Sequence, residues 1–180
     1  GGQHSGEDIL DIRVAFSEGF GNAFSGMVLD DPVYFDTMGA SQASGFSFDM
    51  ESEVQNNPGW YSEASVQRIL YDLYDDNRDG NDTLSFGFTP LHEVFIGTEK
   101  TTPAFTSIFS YITLLKDENS ADSDSIDSIV SSVTIATITD IYGAGRTYLA
   151  SELPNYVDLD IGNTVTVCPT YTYGTYNKLG

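Results

Sequence analysis

Three polar residues, Asp11, Glu18 and Asn22, fall on one face of a segment whose apolar residues recur at helical spacing. At 100° per residue the three lie within about 40° of one another, away from the apolar stripe. A helical glutamate with an amide or carboxylate one turn later can bind Zn²⁺, while its neighbour orients a histidine from another helix. Glu18 is therefore either a metal ligand or part of the solvated face of an amphipathic helix.

Two glycines, Gly19 and Gly21, stand inside the same predicted helix, where each costs about 1 kcal/mol relative to alanine. Gly19 and Gly26 border the polar face, and residues without a side chain allow another backbone to approach closely. Lys and Gln, which often fill exposed helix positions, are absent around Glu18. The pattern predicts that a second element packs close to this face.

A second cation site is indicated by Asp75, Asn77 and Asp79, which with Gly80 match the opening of an EF-hand calcium loop. The twelfth position of such a loop is Phe86 here, so the bidentate glutamate is missing. The segment is either a calcium loop completed by ligands from elsewhere or an acidic turn that ends at a glycine.

The chain of 180 residues has a formal charge of −20, from 7 Lys and Arg against 27 Asp and Glu. This charge argues against partners that present phosphates, such as nucleic acids, and suits a soluble protein or one that binds cations. The single cysteine, Cys168, excludes an internal disulfide framework and a cysteine-rich zinc site. No apolar run reaches the ~18 residues that a membrane span needs, so we expect no membrane span.

Hydrophobic periodicity predicts a mainly α fold with a small β element, an α+β chain of about one domain. The segments with helical periodicity are about 7–29, 61–74, 90–97, 103–116 and the first half of 126–141. The polar segments that read as loops are 37–47, 75–82 and 117–127. Ser5 is the predicted N-cap of the first helix, because Asp8 follows it at the spacing of a capping box. Pro103 suits the first turn of the fourth.

The apolar residues of 157–180 alternate as in a β-strand, and Gly162 with Asn163 suits a hairpin turn. We therefore expect a helical part, 1–156, followed by a β-strand tail, 157–180, that leads into a further domain.

The segment Ser17-Glu18-x-x-x-Asn22 resembles the third-ligand helix of the gluzincins, the thermolysin-like zinc metallopeptidases, whose pattern is Asn-Glu-x-x-x-Asp. Longer blocks of the chain are similar to a group of secreted bacterial proteins of that clan. These blocks are Asp11-x-Arg13-x-Ala15-Phe16-x-Glu18-Gly19, Asp31-Pro32-Val33-Tyr34, Gly59-Trp60-Tyr61-Ser62-Glu63-Ala64-Ser65-Val66-Gln67, Leu70-Tyr71-Asp72-Leu73-Tyr74-Asp75 and Thr101-Thr102-Pro103-Ala104-Phe105-Thr106.

The resemblance implies the helical C-terminal subdomain of a gluzincin-type metallopeptidase, a peptide-bond hydrolase located outside the cell or at its surface. It implies Glu18 as the third zinc ligand, with Asn22 and Asp11 beside the ligands as supporting groups. Secreted metallopeptidases of this kind often use calcium structurally, which favours the calcium interpretation of the acidic loop.

In this clan a downstream His or Tyr donates a hydrogen bond to the oxyanion of the tetrahedral intermediate. Tyr61, Tyr71 and His92 are the candidates for this role. The alternative is that Tyr71 is a core residue and that His92 is an ordinary surface or core histidine.

The chain departs from the gluzincin pattern at the motif on which activity depends. A gluzincin needs His-Glu-x-x-His, which supplies two zinc ligands and a general base. The two histidines here, His4 and His92, do not lie in such a motif. In the family the motif precedes the third-ligand helix, so we expect it in a preceding part of a longer protein. The chain alone is predicted to be inactive, to bind zinc poorly, and to dimerise through apolar surface left open.

Two other functions remain open from the sequence. One is a non-catalytic, acidic helical module that binds calcium or a protein partner at the cell surface. The other is a purely structural domain of a cell-surface protein.

Overall fold

The computed structural model describes residues 4, 6, 8–52, 55–78, 80, 82–144, 146, 156 and 159–164. Five α-helices lie in this part of the chain: α1 Ile12–Leu29, α2 Glu63–Asp72, α3 Phe88–Val94, α4 Ile108–Glu118 and α5 Ser123–Ser132. The two strands are β1 Val33–Met38 and β2 Ser44–Asp49. A π-helical turn, Phe95–Glu99, continues α3, and short 3₁₀ turns occupy Ala40–Gln42 and Ser120–Asp122. The predicted class, mainly helical with a small antiparallel β element, is confirmed.

Helix α1 begins at Ile12, five residues after the predicted start, because Asp11 rather than Ser5 is its N-cap. The Asp11 carboxylate accepts a hydrogen bond from the backbone N–H of Arg13 at 3.0 Å, which satisfies one of the free amides of the first turn. The helix ends where predicted, as Asp30 adopts a left-handed conformation and its N–H donates to the carbonyl of Gly26.

The α1 and α2 helices pack with their backbones in close contact, and two glycines of α1 make this approach possible. A Cβ atom at Gly19 would lie 2.6 Å from the carbonyl oxygen of Glu63, and one at Gly26 would lie 2.9 Å from a ring carbon of Tyr71. The predicted close approach of a second element is thus confirmed at these positions. At Gly21 an added Cβ would meet nothing within 4 Å, so this glycine does not serve the packing.

The core lies where α1, α2, α4 and α5 meet, and its side chains come from the apolar stripe of each helix. Phe16, Ile69, Ile112 and Ile129 are among those that are almost fully buried. Tyr111 is also buried there, and its hydroxyl donates to the carbonyl of Leu91 at 2.9 Å, so its polar end is satisfied.

Two helices of the C-terminal half differ from the sequence predictions. Helix α4 begins at Ile108 and not at Pro103, because Ser107 and Ser110 form a capping box that fixes the first turn. The helix predicted in the first half of 126–141 is present as α5, but it begins at Ser123, inside the predicted acidic loop 117–127, which also contains a 3₁₀ turn. That helix forms because Ile126 and Ile129 recur at helical spacing and are buried in the core.

The β element is a hairpin within residues 33–49, a region that the sequence predicts in part as a loop. Its strands are antiparallel, with Tyr34 opposite Phe48 and Asp36 opposite Phe46. The predicted C-terminal hairpin, 157–180, lies largely outside the described residues. Within 159–164 the N–H of Asn163 donates to the carbonyl of Asp160 at 3.0 Å, which closes a turn at the predicted place.

Across the segments that the structure describes, none of the helices has both the length and the apolar character required to cross a membrane.

Candidate metal-ligand face of helix α1

Glu18 projects from the second turn of α1 and is partly buried. It forms no hydrogen bond or ion pair with any residue in the described part of the chain. Its charge nevertheless acts on its neighbours, because the pKa values of Glu63 and Tyr34, raised mainly by burial, are raised further by the charge of Glu18. Glu18 is thus a carboxylate on a rigid helix whose oxygen atoms remain available to a ligand.

Asn22, one turn after Glu18, is tied to helix α2. Its Nδ2 donates to Oε1 of Gln67 at 2.8 Å, and Gln67 is only 1% exposed. Because this bond uses the amide nitrogen, the side chain has a defined orientation, and its Oδ1 remains an acceptor. The predicted pair, Glu18 and Asn22, therefore stands together on a face that α2 supports from one side.

A histidine from the segment before α1 reaches the same region. His4 Nε2 lies 2.9 Å from Oε2 of Glu63, the first residue of α2, and both side chains are largely buried. Burial raises the pKa of Glu63; His4 acts in the opposite direction, and the negative charge of Glu18 raises it further. His4, Glu63 and Glu18 therefore form one electrostatic group at the α1–α2 junction.

The third predicted residue, Asp11, has a structural role at the start of α1. Its carboxylate caps α1 and also pairs with the Arg13 side chain, at 2.8 Å to Nε and 3.1 Å to Nη2. These contacts hold Asp11 at the start of the helix, about two turns before Glu18. Its predicted support of a metal ligand stays a prediction.

The three candidates for the oxyanion role lie at different places. Tyr71 is 2% exposed within the core, and burial is the main cause of the large rise in its pKa. Tyr61 is partly buried, and its hydroxyl donates to the carbonyl of Pro58 at 3.4 Å. His92 is exposed on α3 and stacks on Phe88 with ring centres 5.2 Å apart.

A tyrosine outside the predicted site residues, Tyr34, comes near Glu18. It lies on β1 against Phe48, with ring centres 5.2 Å apart. Burial raises the pKa of Tyr34, and the charges of Asp36, Glu63 and Glu18 raise it further. No local sequence pattern predicts this proximity, because it depends on the fold of the β1–β2 hairpin.

The candidate calcium loop follows α2. Asp75 Oδ2 accepts the N–H of Asn77 at 3.1 Å, and the nearly buried Asp82 accepts the N–H of Leu84 at 3.0 Å. Asp79 lies outside the described residues. These bonds organise the backbone of an acidic turn, and the calcium interpretation stays a prediction.

A complete metal site is not formed by this chain within the residues that the structure describes. No group of three or more His, Cys, Asp or Glu side chains there is arranged to hold a metal ion. A catalytic zinc ion takes three protein ligands, and the α1 face offers Glu18 alone. In comparisons with known proteins, no family model, curated protein or solved structure matches the chain.

Proposed function

We propose that this chain is part of a secreted, gluzincin-type zinc metallopeptidase in which Glu18 is a ligand of the metal ion. The two histidine ligands and the general base would come from a His-Glu-x-x-His helix outside these 180 residues. A zinc ion held by these ligands would supply an activated water molecule for hydrolysis of a peptide bond. The chain by itself is then inactive, and its part is to present Glu18 and to form one side of the substrate cleft.

The observation that supports this proposal best is the state of the Glu18 carboxylate. It is partly buried, and no hydrogen bond or ion pair from a described residue compensates for its charge. The nearby carboxylate of Glu63 is repelled by the charge of Glu18. A cation bound at Glu18 would offset this repulsion.

The environment of Asn22 supports the same assignment. Its Nδ2 is committed to Gln67, so Oδ1 is held in place as an acceptor for a donor that approaches the face. Histidines that bind zinc usually donate their second ring N–H to an acceptor of this kind, which fixes the ring orientation. Asn22 would therefore orient a histidine ligand, as the resemblance implies. Asn in place of the family's Asp makes this support weaker electrostatically.

The test is the zinc content of the full-length protein from which the chain derives, measured by elemental analysis after dialysis against a weak chelator. Glu18→Gln should lose most of the bound zinc, while Glu93→Gln, at an exposed glutamate of α3, should retain it. Equal zinc content in the two variants would overturn the assignment of Glu18.

The sequence of the full-length protein provides a second, independent check. The proposal requires a His-Glu-x-x-His motif upstream of residue 1. If the full-length protein lacks that motif, the enzyme proposal fails, and the alternative of a non-catalytic acidic module takes its place. A rise in the melting temperature on addition of excess calcium would then favour calcium binding by that module.

A further inference from the structure

The β1–β2 hairpin exposes a large apolar surface for so small an element. Phe35 is 63% exposed, Met38 56% and Phe46 52%. Two-stranded sheets are marginally stable alone and usually gain from a third strand or a covering element. Within the described part of the chain, the sheet contains these two strands only.

The outer edge of β1, the edge that faces away from β2, has backbone N–H and C=O groups that a further strand could bind. Pro32 and Met50 lie opposite each other, one residue beyond the first pair of the ladder, and the N–H of Met50 donates to the carbonyl of Pro32 at 3.0 Å. Pro32 and Met50 are therefore a pair whose backbone groups face each other. Because such pairs alternate along an antiparallel ladder, the N–H and C=O groups of Phe35 and Thr37 point away from β2. No described residue forms a hydrogen bond with them.

Natural edge strands usually carry features that prevent pairing, such as charged side chains, proline or a bulge. Neither proline nor a bulge occurs within β1, whose sequence is Val-Tyr-Phe-Asp-Thr-Met and whose pairing with β2 is continuous over six residues, and its one charged residue is Asp36. The edge is therefore open to strand addition.

The negative charge around the hairpin favours a basic strand as the one that pairs with this edge. No Lys or Arg occurs between Arg13 and Arg68. The acidic residues in and around the hairpin are Asp30, Asp31, Asp36, Asp49 and Glu51. A second copy of the chain would bring the same acids and a charge of −20, so repulsion opposes edge-to-edge pairing of two copies.

We propose that the outer edge of β1 binds an extended, basic segment of another protein as a third strand. Asp36 and Met38 lie on one face of β1, and Phe35 lies on the other, since side chains alternate. A segment that alternates basic and apolar residues would place Lys or Arg beside Asp36 and its apolar side chains beside Phe35. Backbone hydrogen bonds to Phe35 and Thr37 would provide affinity. The proposal does not depend on zinc or on peptidase activity.

The first experiment measures binding of fluorescent six-residue peptides by anisotropy at low salt. A peptide that alternates lysine and valine should bind, and its analogue with glutamate in place of lysine should not. N-methylation of alternate backbone amides keeps the charge but removes the strand hydrogen bonds, so it should weaken binding roughly tenfold or more. Equal affinity of the N-methylated peptide would overturn the proposal, because only non-specific attraction would remain.

The second experiment changes the edge itself. Thr37→Pro removes an outward N–H without breaking a hydrogen bond of the hairpin, and it should weaken the lysine–valine peptide roughly tenfold. Thr37→Ala is the matched control and should keep the affinity of the original chain. Backbone NMR shifts of residues 33–38 on peptide addition report the site directly and also show whether the hairpin is intact in each variant. Shifts confined to other residues, or self-association in place of peptide binding, would contradict the proposal.

Discussion

Gly19 of α1 lies so close to Val66 of α2 that a Cβ atom at position 19 would be 2.7 Å from the Val66 Cβ. Such a distance is well below normal van der Waals contact. The two helices are therefore fixed against each other directly beside Glu18. This contact explains why a residue that is poor for helix formation stands at this position.

The close contact predicts opposite effects of alanine at two glycines of α1. Gly19→Ala should lower the free energy of unfolding by about 2 kcal/mol, because overpacking outweighs the gain in helix propensity. Gly21→Ala is the matched control, since an added Cβ meets open space there, and it should raise stability by about 0.5–1 kcal/mol. Urea unfolding followed by circular dichroism measures both. A stabilising Gly19→Ala would show that the α1–α2 distance is larger than described.

The hydrogen bond between Asn22 and Gln67 predicts a second stability change. Asn22→Ala leaves the buried Oε1 of Gln67 without this donor, at a cost of about 1–2 kcal/mol. Part of that cost is offset by the better helix propensity of alanine. Ser17→Ala, at an exposed position of the same helix, should be neutral or slightly stabilising. Equal unfolding free energies for the two variants would mean that the bond contributes nothing.

The sequence predicted the face of α1 well and its beginning poorly. The 100° spacing of Ile12, Phe16 and Met27 is a strong signal because burial of that stripe depends on periodicity alone. The first residue of α1 depends on which side chain caps the helix, and the N-cap is Asp11 in place of the predicted Ser5. The helix predicted in the first half of 126–141 is α5, but it begins earlier, at Ser123. The acidic residues that suggested a loop up to residue 127 lie away from the core, since Asp124 is exposed and Asp127 pairs with Lys116.

In the candidate site, too, the sequence predicts which residues of one helix lie together, but it does not predict contacts between segments far apart in the chain. Glu18 and Asn22 are one helical turn apart, so their shared face follows from the sequence. The partners Glu63 and Gln67 are about 45 residues away along the chain, and Tyr34 approaches through a hairpin that the sequence showed only as a Gly- and Ser-rich loop. Contacts of this kind depend on tertiary packing, which no local pattern encodes.

Lys116 joins three segments of the C-terminal half, and its removal should destabilise them together. Its Nζ lies 2.8 and 2.9 Å from the carboxylate oxygens of Asp127 on α5, and it donates to the carbonyl of Ile138 at 3.0 Å. Lys116→Met should cost about 2 kcal/mol, less than for a fully buried pair because both side chains retain some contact with water.

Lys100→Met, at an exposed lysine, is the control for Lys116→Met and should change the unfolding free energy by less than about 0.5 kcal/mol. Asp127→Asn keeps an acceptor and leaves the bond to Ile138, so it should cost less than Lys116→Met. Chemical denaturation of the three variants distinguishes these outcomes. If Asp127→Asn lowers the unfolding free energy as much as Lys116→Met does, the hydrogen bond from Lys116 to Ile138 makes no measurable contribution to stability.

Glu99 should make stability depend on pH. It is 4% exposed at the end of the π-helical turn, and its Oε1 lies 2.7 Å from the Ser110 hydroxyl. Burial raises the pKa of Glu99, although hydrogen bonds from Ser110 and Thr106 lower it in part. The folded protein therefore binds this proton more tightly than the unfolded chain does. Because of this, the contribution of Glu99 to stability falls as pH rises from its ordinary pKa through the raised one.

Glu99→Gln removes the ionisation while it keeps a side chain of similar size and an acceptor for Ser110. The unfolding free energy of the variant relative to the original chain should therefore increase as pH rises through that window, and then become constant. Glu93→Gln, at an exposed position of α3, controls for the loss of one negative charge from a chain of −20. Urea unfolding at several pH values measures both differences. The same pH dependence in the two variants would show that overall charge, and not the burial of Glu99, governs the effect.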